Sequence, residues 1–208
     1  MATAAQLLNI ARAELGTKES PAGSNRVKYN TAYYGREVSG PSYPWCVVFA
    51  WWCCDQAGVE LPIRTASCSA LKAAAQSAGM WVTGNYRPGD IVIYDWGKDG
   101  KPDHCGIIET VGGSSVVAIE GNTAIGNDSN GGEVMRRTRT LTQMIGAVRP
   151  KYEEASMESE EVQTAQEWAQ NAGIMTGYAD GQMHLDNTVT RRQLLLVLYR
   201  FAKWLGKI

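Results

Sequence analysis

The sequence has no run of about 18 apolar residues, the length that a membrane-spanning helix requires, so we predict no membrane insertion. The net charge is close to zero. A value of −1 over 208 residues provides no overall positive field, which argues against nucleic acid as a partner. The first residues lack the basic start and unbroken apolar stretch of a secretory signal peptide, so we expect the chain to be cytoplasmic when it is made. Histidine is rare, and His104 and His184 are the only candidates for a base that titrates near neutral pH.

Neither the cysteines nor the acidic residues form the pattern of a disulfide framework or a metal site. The five cysteines are odd in number, and a bridge between the adjacent Cys53 and Cys54 would be strained. The set predicts reduced thiols in a reducing compartment. Asp95, Asp99 and Asp103 do not have the spacing of a calcium-binding loop and are more typical of a solvated hairpin turn. We therefore predict no cofactor and no metal.

Hydrophobic periodicity predicts an α+β fold, in which N-terminal helices pack on an antiparallel sheet. Apolar residues recur at helical spacing in residues 4–15, 44–58 and 67–78. Short β-branched runs bounded by turn residues follow at 90–96, 104–111, 115–120 and 145–149, and they predict strands. Residues 17–44 are rich in Gly, Pro, Ser, Asn and Tyr, which predicts a long irregular loop.

Composition divides the chain into a domain at residues 1–150, an acidic linker at 151–161 and a small helical module at 162–208. The linker, KYEEASMESEE, has almost no bulky apolar residues. The helical pattern that follows breaks at GIMTGYADGQ and resumes over 190–205. The module therefore reads as a helical hairpin that occurs once.

Cys46 and His104 are best placed for nucleophilic catalysis. Cys46 falls in the first turn of its predicted helix, where unpaired backbone N–H groups and the helix dipole stabilise a thiolate. His104 opens a predicted strand and can face a cleft, whereas Cys105 beside it points to the opposite face. Glu120 ends the next predicted strand, where it can orient the imidazole, and Asn122 lies on the same side and can assist. This order, with Cys on a helix start and His and an acid on later strands, is that of papain-like sites.

Three segments, WCVVFAWW, DHCGIIE and IEGN, resemble the three blocks of the CHAP family, the cysteine, histidine-dependent amidohydrolases/peptidases. The resemblance spans residues 7–150 and implies a papain-like fold. It also implies hydrolysis of amide bonds in bacterial peptidoglycan, either as an N-acetylmuramoyl-L-alanine amidase or as a peptidoglycan endopeptidase. The catalytic set that it implies is Cys46, His104, Glu120 and Asn122.

The chain departs from the CHAP pattern just before the cysteine. The segment YYGREVSGPSYPW has no acidic cluster of the kind that binds calcium in many CHAP lysins, so we do not expect calcium dependence. Trp45 stands where a glutamine often contributes to the oxyanion hole, which leaves the second oxyanion donor unassigned. We predict that Trp45 and Tyr43 line the substrate cleft.

A second resemblance lies in the C-terminal module. The segment EWAQNAGIMTGYADGQMHLDNTVTRRQLLLVLYRF resembles one S-layer homology motif. That resemblance implies binding of secondary cell-wall polysaccharide through Trp168, Gly177, Tyr178, Thr190 and Arg191. One motif cannot build the usual three-fold unit, so either chains associate as a homo-oligomer or the module is a small hairpin docked on the first domain. Together the two resemblances imply a phage or prophage endolysin that reaches the cell wall through a holin pore.

Other functions remain open at this stage. A non-catalytic wall-binding protein would carry the same residues as a decayed site, and a papain-like hydrolase could act on an amide outside the wall. Cys46 could be a buried structural thiol, and His104 a strand-end histidine bonded to a loop. The basic residues of the last helix, Arg191 and Arg192, could form a solvated face rather than a binding site.

Overall fold

Four helices precede the strands in the computed structural model, which describes residues 2–128, 130–152, 168–174 and 191–206. They are α1 (Ala4–Ala13), α2 (Lys28–Tyr34), α3 (Cys46–Ala57) and α4 (Cys68–Ser77). Helices α1, α3 and α4 confirm the three predicted helical segments. Helix α1 starts with a capping box, in which the Thr3 hydroxyl accepts from the Gln6 N–H and the Gln6 side chain accepts from the Thr3 N–H. Helix α3 ends at Gly58, whose φ of 68° is the left-handed value that favours glycine.

Helix α2 lies inside the segment that we predicted as an irregular loop, so that prediction was wrong over seven residues. Its sequence, KYNTAYY, has no apolar periodicity and therefore no local helical signal. Tertiary packing accounts for the helix, because Tyr29 is fully buried and its ring lies 5.1 Å from both Phe49 and Trp52 of α3. Those edge-on aromatic contacts attach the loop region to α3.

The strands form one antiparallel sheet, which confirms the α+β prediction. They are β1 (Trp81–Val82), β2 (Ile91–Tyr94), β3 (His104–Val111), β4 (Ser115–Thr123), β5 (Glu133–Thr140) and β6 (Met144–Val148). Their order across the sheet is β1-β6-β2-β3-β4-β5. Strands β2, β3, β4 and β6 were predicted, whereas β1 and β5 were missed. Strand β5 reads EVMRRTRT, and so many charges give no signal of a buried strand.

The sheet has a different hydrophobic cluster on each face, because successive strand residues point to opposite sides. The helices cover one face, and the cluster there includes Cys105 and Ile107 of β3. The other face carries a smaller cluster that includes Tyr94 and Ile108. His104 stacks on Tyr94, with ring centroids 6.0 Å apart, so it belongs to this second face and points away from Cys105 as predicted.

Gly121 of β4 lies directly against Phe49 of α3. A Cβ atom at this position would stand 2.5 Å from Phe49 Cβ and 2.9 Å from Trp45 Cζ3. We expect Gly121→Ala to lower the free energy of unfolding by about 1–3 kcal/mol, the usual range for overpacking a core. Urea denaturation measures the change. Gly113→Ala is the control, since a Cβ there meets nothing within 4 Å, and equal midpoints for the two variants would contradict the prediction.

The chain divides into two units, Met1–Glu153 and Glu154–Ile208. The first unit includes Tyr152, whose hydroxyl donates to the carbonyl oxygen of Gly89 at 2.6 Å. In the second unit, helix α5 (Arg191–Trp204) confirms the helix predicted over 190–205. Within the described residues, no helix combines the length and apolar character needed to cross a membrane.

Candidate active site

Cys46 is the first residue of α3 and stands beside two other thiols. No side chain caps this end of the helix, so its first-turn N–H groups keep their positive partial charge. The Cys46 sulfur lies 4.0 Å from the sulfur of Cys68, which is the first residue of α4. Cys105 of β3 completes a cluster in which all three sulfurs lie within 4.8 Å of one another. We call Cys46, Cys68 and Cys105 the thiol cluster. All three residues are buried, and Cys46 is 6% exposed.

His104 and Glu120 meet on the neighbouring strands β3 and β4. The His104 Nε2 atom lies 3.3 Å from Glu120 Oε2, and both side chains are fully buried. Gly106 makes room for this contact, because a Cβ atom there would come within 2.7 Å of Glu120 Cγ. Since Nε2 faces the carboxylate, Nδ1 is the ring nitrogen left for Cys46. The sequence predicted this trio, and the fold brings it together.

Arg139 of β5 binds the pair formed by His104 and Glu120. It was not among the predicted site residues. Its guanidinium donates to both carboxylate oxygens of Glu120, from Nε at 2.9 Å and from Nη2 at 2.6 Å. Its Nη1 lies 3.0 Å from Asp128 Oδ1, so the cation bridges two carboxylates. A buried Glu needs a counter-charge, which was a signal that such a partner existed. The signal could not name Arg139, because β5 was not predicted as a strand.

Two aromatic rings stack next to His104. The ring of Tyr94 is 4.8 Å from that of Trp96 in a parallel arrangement, and the Trp96 ring is 6.1 Å from His104. The guanidinium of Arg139 lies 4.8 Å from the centroid of Trp96. These planar contacts restrict the rotation of the imidazole and hold the arginine in position. Neither Tyr94 nor Trp96 was among the predicted site residues.

Electrostatic contacts favour a charged pair between Cys46 and His104. Hydrogen bonds from Cys105 and Cys68 lower the pKa of the Cys46 thiol well below its usual value, and His104 lowers it further, while burial opposes them. Burial alone would lower the pKa of His104, but its contacts with Cys46 and Glu120 outweigh that effect and raise the pKa to about 9. Near neutral pH the arrangement therefore holds a thiolate next to an imidazolium.

The two flanking thiols stay protonated. The hydrogen bond with Cys46 raises the pKa of Cys105 well above its usual value, with Cys68 and burial adding to the shift. The contact with Cys105 lowers the pKa of Cys68, but Cys46 and burial outweigh it, so the net shift is also upward. As thiols they can donate hydrogen bonds to the Cys46 sulfur, so they stabilise its anion.

Glu120 remains a carboxylate despite its burial. Desolvation by itself would raise its pKa, but the hydrogen bonds from Arg139 and the contact with His104 reverse the effect and lower it. A buried anion flanked by two cations has the hydrogen bonds that it needs. The carboxylate can therefore stabilise the imidazolium form of His104.

Other predicted site residues lie next to this cluster but have other contacts. Asn122 is buried, and its side chain bonds the following loop: Nδ2 lies 3.3 Å from Asn130 Oδ1, and Oδ1 accepts from the Gly132 N–H at 3.3 Å. Trp45 is fully buried against Tyr29, so it belongs to the core and not to an open cleft wall as we predicted. Tyr43 is half-buried near the start of α3.

The acidic residues of the β2–β3 turn have a structural role. Asp95 is buried and accepts from the Asp99 and Gly100 N–H groups, at 3.2 and 2.7 Å. Asp103 accepts from the Trp96 N–H at 2.6 Å. These bonds close the turn that precedes His104, which agrees with a hairpin, but Asp95 is buried and not solvated as predicted, because it accepts from N–H groups of the turn.

The predicted polysaccharide-binding residues are described only in part. Trp168 is 45% exposed, and its ring lies 5.4 Å from Trp204 and 6.3 Å from Phe201. Arg191 opens α5, and its side chain lies outside the described part of the structure. The remaining predicted residues, Gly177, Tyr178 and Thr190, also lie outside the described residues.

Solved structures with a similar chain path include an endolysin and the protein Ly7917. The wild-type endolysin LysIME-EF1 has 14% sequence identity and a TM-score of 0.47, with 76% of this chain and 68% of that chain covered. Ly7917 has 20% identity and a TM-score of 0.43, with 71% of this chain and 62% of that chain covered. A structure of Ly7917 with the hydrolyzing product of MDP has 21% identity and a TM-score of 0.41, with 71% and 63% covered. This chain thus spans less than two thirds of the length of Ly7917.

Comparison with curated protein sequences gave no match. Comparison with protein families gave a match, which covers the part of the chain that carries the candidate active site. Cys46, His104, Glu120 and Asn122 all lie inside the matched range. Residues 38–122 match the family described as the CHAP domain.

Proposed function

We propose that the first unit, Met1–Glu153, is a cysteine hydrolase that cleaves an amide bond of bacterial peptidoglycan. The observation that carries the proposal is the fully buried contact of His104 with Glu120, at 3.3 Å, beside Cys46 at the start of α3. The CHAP domain match over residues 38–122 supports it, because the resemblance to that family implies an amidohydrolase or a peptidase. A decayed site in a purely wall-binding protein would have no reason to keep this charge arrangement.

Acyl transfer follows from the charges of the site. The Cys46 thiolate attacks the amide carbonyl carbon, and the oxyanion that forms is stabilised by the Cys46 N–H and the positive end of α3. The His104 imidazolium donates its Nδ1 proton to the leaving nitrogen as the C–N bond breaks. Neutral His104 then takes a proton from water, whose oxygen attacks the thioester. The products are a carboxylic acid and the free Cys46 thiolate.

Glu120 and Arg139 act on this chemistry through His104. Glu120 holds the imidazole plane and keeps the ring protonated until the amine leaves. Arg139 fixes Glu120 through two hydrogen bonds, so the carboxylate cannot rotate towards other donors. Glu120 and Arg139 are therefore positioning residues, and Cys46 and His104 touch the reacting atoms.

The pH profile of kcat/KM tests this division of roles. Because His104 must be protonated to donate to the leaving amine, the alkaline limb is expected near pH 9, the pKa that Cys46 and Glu120 produce. Glu120→Gln removes the charge that raises this pKa, so the limb should move to lower pH. Glu37→Gln is the matched control, since the Glu37 side chain is 60% exposed and pairs with Arg26. An alkaline limb that stays in place in Glu120→Gln would contradict the role of the carboxylate.

The bond that is cut is either the muramoyl–alanine amide or a peptide bond of the stem or cross-bridge. Digestion of purified peptidoglycan, followed by mass spectrometry of the released fragments, distinguishes them. Free stem peptides identify an amidase, whereas shortened or unlinked stems identify an endopeptidase. Failure to release any fragment from walls of several Gram-positive species would contradict the proposal and favour a non-catalytic wall-binding protein.

We also propose that the second unit binds a cell-wall polysaccharide. The supporting observation is the cluster of half-exposed aromatic rings formed by Trp168, Phe201 and Trp204, because aromatic faces stack on sugar rings. Trp168→Ala in the full chain is expected to reduce co-sedimentation with purified cell walls several-fold while hydrolysis of soluble muropeptides is unchanged. Leu195→Ala, at an exposed position of α5, is the control. Equal co-sedimentation of the two variants would contradict this proposal.

A further inference from the structure

Cys68 stabilises the Cys46 thiolate in the proposed hydrolysis but forms no bond with the substrate, and its sulfur lies in contact with the nucleophile. Its Sγ is 4.0 Å from Cys46 Sγ, and the pair is buried. The two other cysteines of α3, Cys53 and Cys54, are also buried but stand outside the thiol cluster. A second thiol this close to a nucleophilic cysteine is the arrangement of a resolving cysteine.

We propose that Cys46 and Cys68 form a reversible disulfide that switches the hydrolase off when a hydroperoxide oxidises Cys46. This inference rests on the proposed function only in taking Cys46 to be a nucleophilic thiolate. The bridge places the Cys46 sulfur in a bond, so it can no longer attack an amide. A thiol reductant restores the two cysteines and with them the activity.

The chemistry balances in two steps. In the first, the Cys46 thiolate attacks the terminal, hydrogen-bearing oxygen of the hydroperoxide and the O–O bond breaks. Cys46 becomes a sulfenic acid, and the departing oxygen takes a proton from the His104 imidazolium to leave as an alcohol, or as water when the oxidant is hydrogen peroxide. In the second, the Cys68 sulfur loses its proton and attacks the Cys46 sulfur. The S–S bond forms, the S–O bond breaks, and the hydroxyl leaves with that proton as water.

The geometry favours Cys68 over Cys105 as the resolving thiol. The sulfurs must approach from 4.0 Å to about 2.05 Å, so one of the two residues has to move. Cys105 lies in β3, which is hydrogen-bonded to β2 on one side and β4 on the other. Cys68 begins α4, whose preceding loop at residues 60–67 contains no fully buried residue, and it is 8% exposed itself. A helix end adjusts more easily than a central strand.

The bridge also protects the nucleophile from damage. A sulfenic acid that is not resolved reacts with more peroxide to form sulfinic acid, which ordinary thiols do not reduce. With Cys68 present, resolution competes with that second oxidation. We therefore expect peroxide to inactivate the wild-type protein reversibly and a protein without Cys68 irreversibly.

Peptide mapping of the full chain tests the bridge directly. The protein is treated with hydrogen peroxide, free thiols are blocked with iodoacetamide, and trypsin is added without reductant. We expect the peptide at 37–64 to be joined to the peptide at 65–72, with fragmentation placing the bond on Cys46 and not on Cys53 or Cys54. A bridge from 37–64 to the Cys105 peptide at 99–136 would overturn the inference. So would Cys46 recovered as a thiol or a sulfinic acid with no bridge.

Two variants complete the test. In Cys68→Ala, peroxide is expected to convert Cys46 to sulfinic acid that dithiothreitol does not reverse, whereas Cys54→Ala should form and release the bridge as the wild type does. Equal unfolding midpoints for the two variants show that the alanines have not changed the fold. Recovery of the Cys46 thiol by dithiothreitol in Cys68→Ala would overturn the inference.

Both measurements read peptide masses and do not depend on hydrolysis. A chain that forms the bridge but releases nothing from peptidoglycan contradicts the proposed function alone. A chain that hydrolyses peptidoglycan but forms no bridge contradicts this inference alone.

Discussion

Replacing Cys46 with alanine is expected to slow the release of amino groups from purified peptidoglycan by about 10⁴-fold or more, because no other group can form the acyl-enzyme. The other two cysteines of the thiol cluster are not expected to replace Cys46. Although Cys68 and Cys105 have sulfurs within 4.8 Å of Cys46, both keep their protons, so neither can replace it as a nucleophile. The measurement is the initial rate of amino-group release at equal enzyme concentration.

Cys54→Ala is the matched control for that experiment. It removes a buried thiol from the same helix, outside the thiol cluster, and should leave the rate nearly unchanged. Circular dichroism shows whether both variants remain folded. If Cys46→Ala kept a rate close to that of Cys54→Ala, the proposed nucleophile would be wrong.

The second large effect is expected in stability. Arg139→Leu leaves Glu120 fully buried without its bidentate partner, and we expect a loss of roughly 3–5 kcal/mol in the free energy of unfolding, the usual result of breaking a buried ion pair. Urea denaturation near neutral pH measures it. The pH matters because the pKa of Glu120 is lowered in the folded state. Its stabilising contribution is therefore present above the unfolded pKa and is lost as the pH falls through the folded pKa.

Arg136→Leu is the control for Arg139→Leu. Arg136 also pairs with a glutamate, Glu109, but its side chain is 49% exposed, so a loss of under about 1 kcal/mol is expected. A double variant, Arg139→Leu with Glu120→Leu, removes both charges and should recover part of the lost stability. If Arg139→Leu and Arg136→Leu had the same effect, the buried ion pair would not have the importance that we assign to it.

The proposed nucleophile, base and acid could be located from the sequence because each has a local signal. Cys46 falls in the first turn of a predicted helix, His104 is one of two histidines, and Glu120 ends a predicted apolar strand. The α+β fold follows from the change of hydrophobic period along the chain. Its antiparallel sheet follows from the short strands and turns.

The other residues around Cys46, His104 and Glu120 come from distant parts of the chain, and no local sequence pattern identifies them. Arg139 lies on a strand in which half of the residues are charged, and it becomes part of the site only through pairing of β5 with β4. Cys68 and Cys105 approach Cys46 because the starts of α3 and α4 and the strand β3 converge. No periodicity predicts that convergence. Trp45 was placed in the cleft because of its position beside Cys46, whereas packing against Tyr29 buries it.

The most direct test of the central claim follows alkylation and hydrolysis in the same sample. The protein is treated with iodoacetamide for increasing times, the alkylated fraction of each cysteine is measured by peptide mass, and the remaining rate of amino-group release from peptidoglycan is recorded. We expect Cys46 to react first, as the thiolate of the thiol cluster, and activity to fall in proportion to its alkylated fraction. Full activity with Cys46 fully alkylated, or loss of activity that follows another cysteine, would contradict it.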